Sequence, residues 1–199
     1  MQEPKNSPVS KRIISFIVAA IFDPLGLISP GVVVYKIFLQ QLWLHKLDWG
    51  DQLPSELLNQ WMDMYLHLFQ VTEITVDRLV LTKPTEIQLH GFCDSNEKYY
   101  GACLYLRFVN QQVEITTKLL CSKSRDAPVK KITLPKLELC GALLLAQLIQ
   151  KTVLALNLKI YRILLWTDST NVLSWLATSA SKWKIFVANR VSQIQELTA

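Results

Sequence analysis

The sequence is short of several things that common chemistries require. Its four cysteines, Cys93, Cys103, Cys121 and Cys140, form no CxxC pair. Only three histidines accompany them, and these do not cluster, which argues against a zinc site. The cysteines lie inside apolar runs, where a free thiol behaves as a small hydrophobe, and this fits a reducing, intracellular compartment (cytoplasm or nucleus). Charged residues make up only 19% of the chain against 50% hydrophobic, so extended disorder is not expected. No internal repeat and no low-complexity segment is visible. The first twelve residues, "MQEPKNSPVSKR", are polar and proline-bearing, unlike a secretory signal. The apolar stretch "IISFIVAAIF" (13–22) is too short to span a bilayer and stops at Asp23-Pro24, so no membrane partner is expected.

What is present changes character along the chain. Residues 13–22, 32–47 and 55–69 read as helices, separated by the turn-rich "DPLGLISPG" (23–31) and by "LDWGDQLP" (47–54). Trp43, Trp49 and Trp61 are expected to pack among them. From about residue 70, β-branched alternation takes over. "TEIQLHGFCD", "YYGACLYLRF" and "VEITTKLLCSKS" read as a meander of antiparallel strands. "LPKLELCGALLLAQLIQKTVLAL" (134–156) is a long helix with Pro135 in its first turn. "IYRILLWTDS" (160–169) is so apolar that a strand buried on both faces is expected. Two more helices, "TNVLSWLATS" and "FVANRVSQIQEL", follow. The order β-β-β-α-β-α-α predicts an α/β fold, a mixed sheet covered by helices, with a small helical subdomain before it and a boundary near Lys83-Pro84.

Three acids occupy otherwise apolar settings. Asp94 ends the first strand of the meander, Glu138 lies near the start of the long helix, and Asp168 ends the apolar strand. A carboxylate in such a place needs a partner, because burying it alone is costly. Parallel pairing of strands 87–94 and 160–168 would bring Asp94 and Asp168 to neighbouring strand ends, with Glu138 leaning over the same edge. Three like charges there would repel unless a cation neutralised them, and oxygen-only donors select Mg²⁺ or Mn²⁺. Each acid also has a purely structural reading. Asp94-Ser95-Asn96 makes an Asx turn, Asp168-Ser169 makes a helix N-cap, and Glu138 suits the positive end of a helix dipole.

These residues resemble a ribonuclease H-like domain, in which acids stand on the first strand, the first helix and the end of the fourth strand. Asp94, Glu138 and Asp168 match those places, and Gly101-Ala102 match the start of the second strand. More narrowly, "IFDPLGLISP" (21–30), "HGFCDSNEKYYGACLYLR" (90–107), "SKSRDAPVKKITLPKLELCGALLLAQL" (122–148) and "WTDSTNVLSWL" (166–176) resemble the polyprotein of BEL/Pao retrotransposons, in the segment labelled the Pao retrotransposon peptidase family. The resemblance implies a ribonuclease H-like mixed sheet over residues 84–199. Before it would come a polar tail (1–12) and a thumb- or connection-like piece of a reverse transcriptase (13–80). It implies a two-ion Mg²⁺ or Mn²⁺ site, with Asp94 bridging both ions and Glu138 and Asp168 each holding one side. The reaction would be hydrolysis of the RNA strand of an RNA/DNA hybrid, with the rest of the polyprotein as partner. A fourth acid of that pattern follows a fifth strand, and the chain reaches Ala199 without either, so the expectation is a truncated domain with an incomplete site. The alternatives are a non-catalytic nucleic-acid-binding or connection module, and an aspartic peptidase as the label suggests. The latter needs Asp-Thr/Ser-Gly, and neither triplet occurs.

The formal net charge of +5 suits a polyanionic partner. Lys118, Lys123, Arg125, Lys130, Lys131 and Lys136 fall within nineteen residues and are opposed by Asp126 alone, the pattern of a rim that holds phosphates. A solvated lysine loop has the same composition. Trp166, Trp175 and Trp183 carry rings able to stack on bases, with packing favoured for the first two.

Overall fold

The computed structural model describes residues 9–70, 75, 86–109 and 113–199. They form two compact units, one from residues 9–23 and 30–70, the other from residues 24–29 and the described residues between 86 and 199. The expected boundary at Lys83-Pro84 lies outside the described residues, as do the first eight residues and nearly all of the strand-like stretch 71–81.

The first unit holds helices α1 (Lys11–Ala19), α2 (Ser29–Leu44) and α3 (Ser55–Gln70). α1 is amphipathic rather than wholly buried: Ile14, Ile17 and Val18 face inward, whereas Phe16 is exposed, as is Phe22 beyond the end of the helix. The core centres on Trp61, which stacks on Phe38 at 5.8 Å and takes Tyr35 edge-on at 6.3 Å. Lys11 is also buried. Its ammonium donates to the Leu47 carbonyl and sits 4.0 Å from the Trp43 ring centre and 5.3 Å from that of Trp49. The two indoles thus offset the desolvation of a cation in addition to packing.

The second unit is built on strands β1 (Glu86–Ser95), β2 (Tyr99–Val109), β3 (Ile115–Asp126) and β4 (Arg162–Trp166), in the order β3-β2-β1-β4. β1–β2 and β2–β3 are antiparallel and β1–β4 is parallel, the mixed α/β sheet expected from the element order. Helices α4 (Leu134–Leu156), α5 (Thr170–Leu176) and α6 (Ile185–Leu197) complete it, with a 3-10 turn at Ala180–Lys182. Alternation decides the faces. Ile87, Leu89 and Cys93 turn inward, where Leu139, Leu145 and Ile149 of α4 join them in the core. Asn157, at φ 47°, closes α4 in the left-handed conformation usual after a helix. α4, unlike residues 13–22, is long and apolar enough, by length and composition alone, to cross a membrane. In this fold it is the central core helix.

β4 departs from expectation. It is only five residues long and, among the described residues, pairs with β1 alone at the sheet edge, so Ile163 and Trp166 are half exposed rather than buried on both faces. The opposite edge, β3, is partly covered by residues 24–29. The Ser122 amide donates to the Leu25 carbonyl at 2.8 Å, the Ser122 hydroxyl donates to the Gly26 carbonyl, and the Ser29 and Ser124 hydroxyls pair at 2.7 Å. This shields part of an edge that would otherwise template further pairing.

Candidate active site

The parallel register pairs Phe92 with Trp166, so Asp94 and Asp168 each follow that pair by two residues, at the same end of adjacent strands. Both carboxylates are exposed. Between them lies the buried Cys93, whose thiol donates to the Trp166 carbonyl at 3.5 Å. Burial pushes this thiol up to about 11. A hydrogen bond with Thr167 works against the shift, and the charges of Asp168 and Asp94 add to it.

α4 reaches the same end because Gly141 lets it approach. A β-carbon there would lie 3.0 Å from Ser95 Oγ and 3.4 Å from the Asp94 carbonyl oxygen. The Ser95 hydroxyl also donates to the Leu137 carbonyl at 3.0 Å, fastening the end of β1 to the turn that carries Glu138. Glu138 is the fifth residue of α4, beyond the first turn, so the helix dipole accounts poorly for it. Its partner is Ser169, whose hydroxyl donates to Glu138 Oε2 at 2.5 Å and accepts from the Val172 amide at 3.2 Å.

These contacts bear on the structural readings of the acids. Ser169, not Asp168, caps α5. The turn after β1 is held by Asn96, whose side-chain oxygen accepts from the Lys98 and Tyr99 amides at 2.8 and 3.0 Å. Asp94 accepts only the adjacent Ser95 amide, at 2.6 Å, among the bonds described. Ser169 and Ser95 were the functional neighbours that sequence reading missed. Position 169 signals only an N-cap, and the bond to Glu138 spans 31 residues.

The three acids therefore stand toward one end of the sheet, and their hard oxygen donors suit Mg²⁺ or Mn²⁺ in kind. Their side chains are not gathered into a ligand set: among the described residues no group of three or more His, Cys, Asp or Glu side chains is placed to hold a metal ion.

The basic residues divide. Asp94, Gly101 and Ser124 lie in one row across the sheet, so the exposed Lys123 and Arg125 flank that row two strands from Asp94. Lys130 and Lys131 are exposed between β3 and α4. Lys136 places its ammonium 5.2 Å from the Phe186 ring centre, and the Arg190 guanidinium stacks on the same ring at 3.6 Å. Lys118 stands apart, in the row of Leu106 and Leu89, five residues before Asp94 along β1. Trp175 packs as expected, while Trp183 and Trp166 depart from expectation. Trp183 packs edge-on to Trp175 at 6.4 Å, whereas Trp166 is half exposed.

The mixed sheet with helices on it is the α/β arrangement that a family match identifies as ribonuclease H-like. The Pao retrotransposon-like RNaseH-like domain matches residues 10–169, and the chain belongs to that family. Among solved structures, ribonuclease H1 from the halophilic archaeon Halobacterium salinarum NRC-1 is similar at 13% identity with a TM-score of 0.31, over 56% of this chain and 76% of that one. No curated protein matches.

Proposed function

We propose that this chain is the ribonuclease H part of a retrotransposon polyprotein and acts on the RNA strand of RNA/DNA hybrids. The observation that carries this reading is the placement of Asp94, Asp168 and Glu138 on two adjacent parallel strand ends and the helix beside them. Asp94, Glu138 and Asp168 would hold Mg²⁺ or Mn²⁺, which when bound activates water and neutralises charge at the scissile phosphate. The chain's own residues prepare the place. Ser95 and Gly141 fix α4 against β1, and Ser169 holds the Glu138 carboxylate. Lys123, Arg125, Lys130 and Lys131 supply cations for the phosphate backbone. In the same reading, helices α1–α3 are the trailing, thumb- or connection-like part of the reverse transcriptase.

A second reading is a non-catalytic nucleic-acid-binding module. It is favoured by the Glu138–Ser169 bond and by the absence of a gathered ligand set among the described residues. No structural observation favours a peptidase. Cleavage of an end-labelled RNA/DNA hybrid with Mn²⁺ separates the first two, comparing the chain with Asp94→Asn. Cleavage abolished by the substitution supports the nuclease. Equal cleavage by both sinks it, and no cleavage with intact hybrid binding supports the module.

A further inference from the structure

The face of the sheet turned away from α4 carries a second pattern, running along the strands away from Asp94. Three rows cross it. The first contains Cys103, Phe92 and Trp166, the second Tyr105, His90 and Leu164, and the third Arg107, Gln88 and Arg162. Phe92 and Trp166 lie nearly parallel, 12° apart with centroids at 6.4 Å, and Tyr105 meets Phe92 edge-on at 6.0 Å. These are large apolar rings in water: Phe92 is 41% exposed and Trp166 50%. Strand rise puts the arginine row about 13 Å from the ring row, four residues at roughly 3.3 Å each.

Within these three rows the charged side chains are the cations Arg107 and Arg162. They flank the centre of the face, and burial together with these two charges lowers the His90 pKa, which favours the uncharged imidazole. The acids on the same alternation stand at the ends: Glu86, whose carboxylate accepts from the Gln88 amide at 2.7 Å, and Asp94. Exposed rings beside fixed cations on an open sheet suit a chain of unstacked bases, each with a π-face and a phosphate. An apolar peptide would satisfy the rings alone, whereas a strand of nucleic acid meets both the rings and the arginine row.

We propose that this face binds single-stranded nucleic acid, with bases stacked on Phe92 and Trp166 and the phosphates running toward Arg107 and Arg162. This site needs no metal and goes beyond the hydrolysis reading, so the test is run in EDTA, where failure of the carboxylate site cannot affect it. Fluorescence anisotropy would follow labelled oligo(U) and oligo(dT) twelve-mers and a duplex of the same length binding to the full chain. Expected is a preference for single strands, weakened about tenfold by Trp166→Ala or Phe92→Ala, the scale of one lost base stack. Trp166→Phe should keep most of the affinity, and Arg107→Gln with Arg162→Gln should flatten the salt dependence. Thermal melts check that each variant is folded. The proposal is overturned if folded Trp166→Ala binds single strands as the parent does. It is equally overturned if Trp166→Phe loses as much as Trp166→Ala. It also fails if the parent sediments as an oligomer that Trp166→Ala dissociates, because the face is then a protein interface.

Discussion

Ser169 joins two elements with one hydroxyl: it donates to Glu138 Oε2 at 2.5 Å and accepts from the Val172 amide at 3.2 Å. The serine therefore caps α5 and restrains a candidate ligand at the same time. Removing the cap alone costs about 1 kcal/mol, and losing a hydrogen bond to a charged group adds a comparable amount. Ser169→Ala is expected to lower stability by about 2 kcal/mol in urea titrations. If the hydroxyl competes with a cation for Glu138, the same variant binds Mn²⁺ more tightly than the parent by calorimetry. Weaker Mn²⁺ binding would mean that Ser169 positions Glu138 for the ion.

The thiols make stability depend on alkaline pH. Burial raises Cys93 to about 11 from an ordinary 9.0, and raises Cys103 and Cys121 as well. Between those values the folded chain keeps the Cys93 proton and the unfolded chain releases it. Unfolding then releases protons, so rising pH favours the unfolded state. Stability should hold below pH 9 and fall as pH approaches 11. Melts between pH 8 and 10.5 would show this, and a Cys93→Ala variant should show a shallower decline. An unchanged slope in that variant would count against Cys93 as a source.

Much of this arrangement was legible in the sequence. The alternation of Ile87, Leu89 and Cys93 and the apolar length of α4 pointed to the sheet and its main helix, and the parallel pairing expected for β1 and β4 is the one observed. What was not legible depends on pairing. The register shift between Leu104 and Tyr105 and the row to which Lys118 belongs follow from inter-strand bonds that composition does not encode. The exposure of β4 follows from its place at an edge, although its sequence is as apolar as a central strand. The docking of residues 24–29 on β3 joins positions nearly a hundred apart, and "DPLGLISPG" reads only as a turn.

Gly26 makes that docking sterically possible. It sits at φ 70°, and a β-carbon there would fall 1.8 Å from the Ser122 carbonyl oxygen, a backbone atom that cannot step aside. Gly26→Ala should detach the segment and break its bonds to Ser122, with a loss toward the upper end of the usual ~0.5–3 kcal/mol. Hydrogen exchange at the Ser122 amide reads the event locally. Retained protection there, with lowered global stability, would show that the segment stays docked and the strain is absorbed elsewhere.

Gly141 tests whether the close approach of α4 to β1 matters to the acids. Alanine gains about 1 kcal/mol of helix propensity, and its β-carbon requires Ser95 Oγ, 3.0 Å away, to shift slightly and so weakens its bond to the Leu137 carbonyl. These effects nearly cancel, so Gly141→Ala should stay within about 1 kcal/mol of the parent. Valine adds methyl groups against Ser95 and the Asp94 carbonyl and forgoes much of the helix gain, so a loss of about 2 kcal/mol is expected from overpacking. With Asp94, Glu138 and Asp168 all present, Gly141→Val should still bind Mn²⁺ at least tenfold more weakly, because the helix carrying Glu138 is pushed from the strand end. Undiminished Mn²⁺ binding in folded Gly141→Val would show that any ion is held by Asp94 and Asp168 without Glu138.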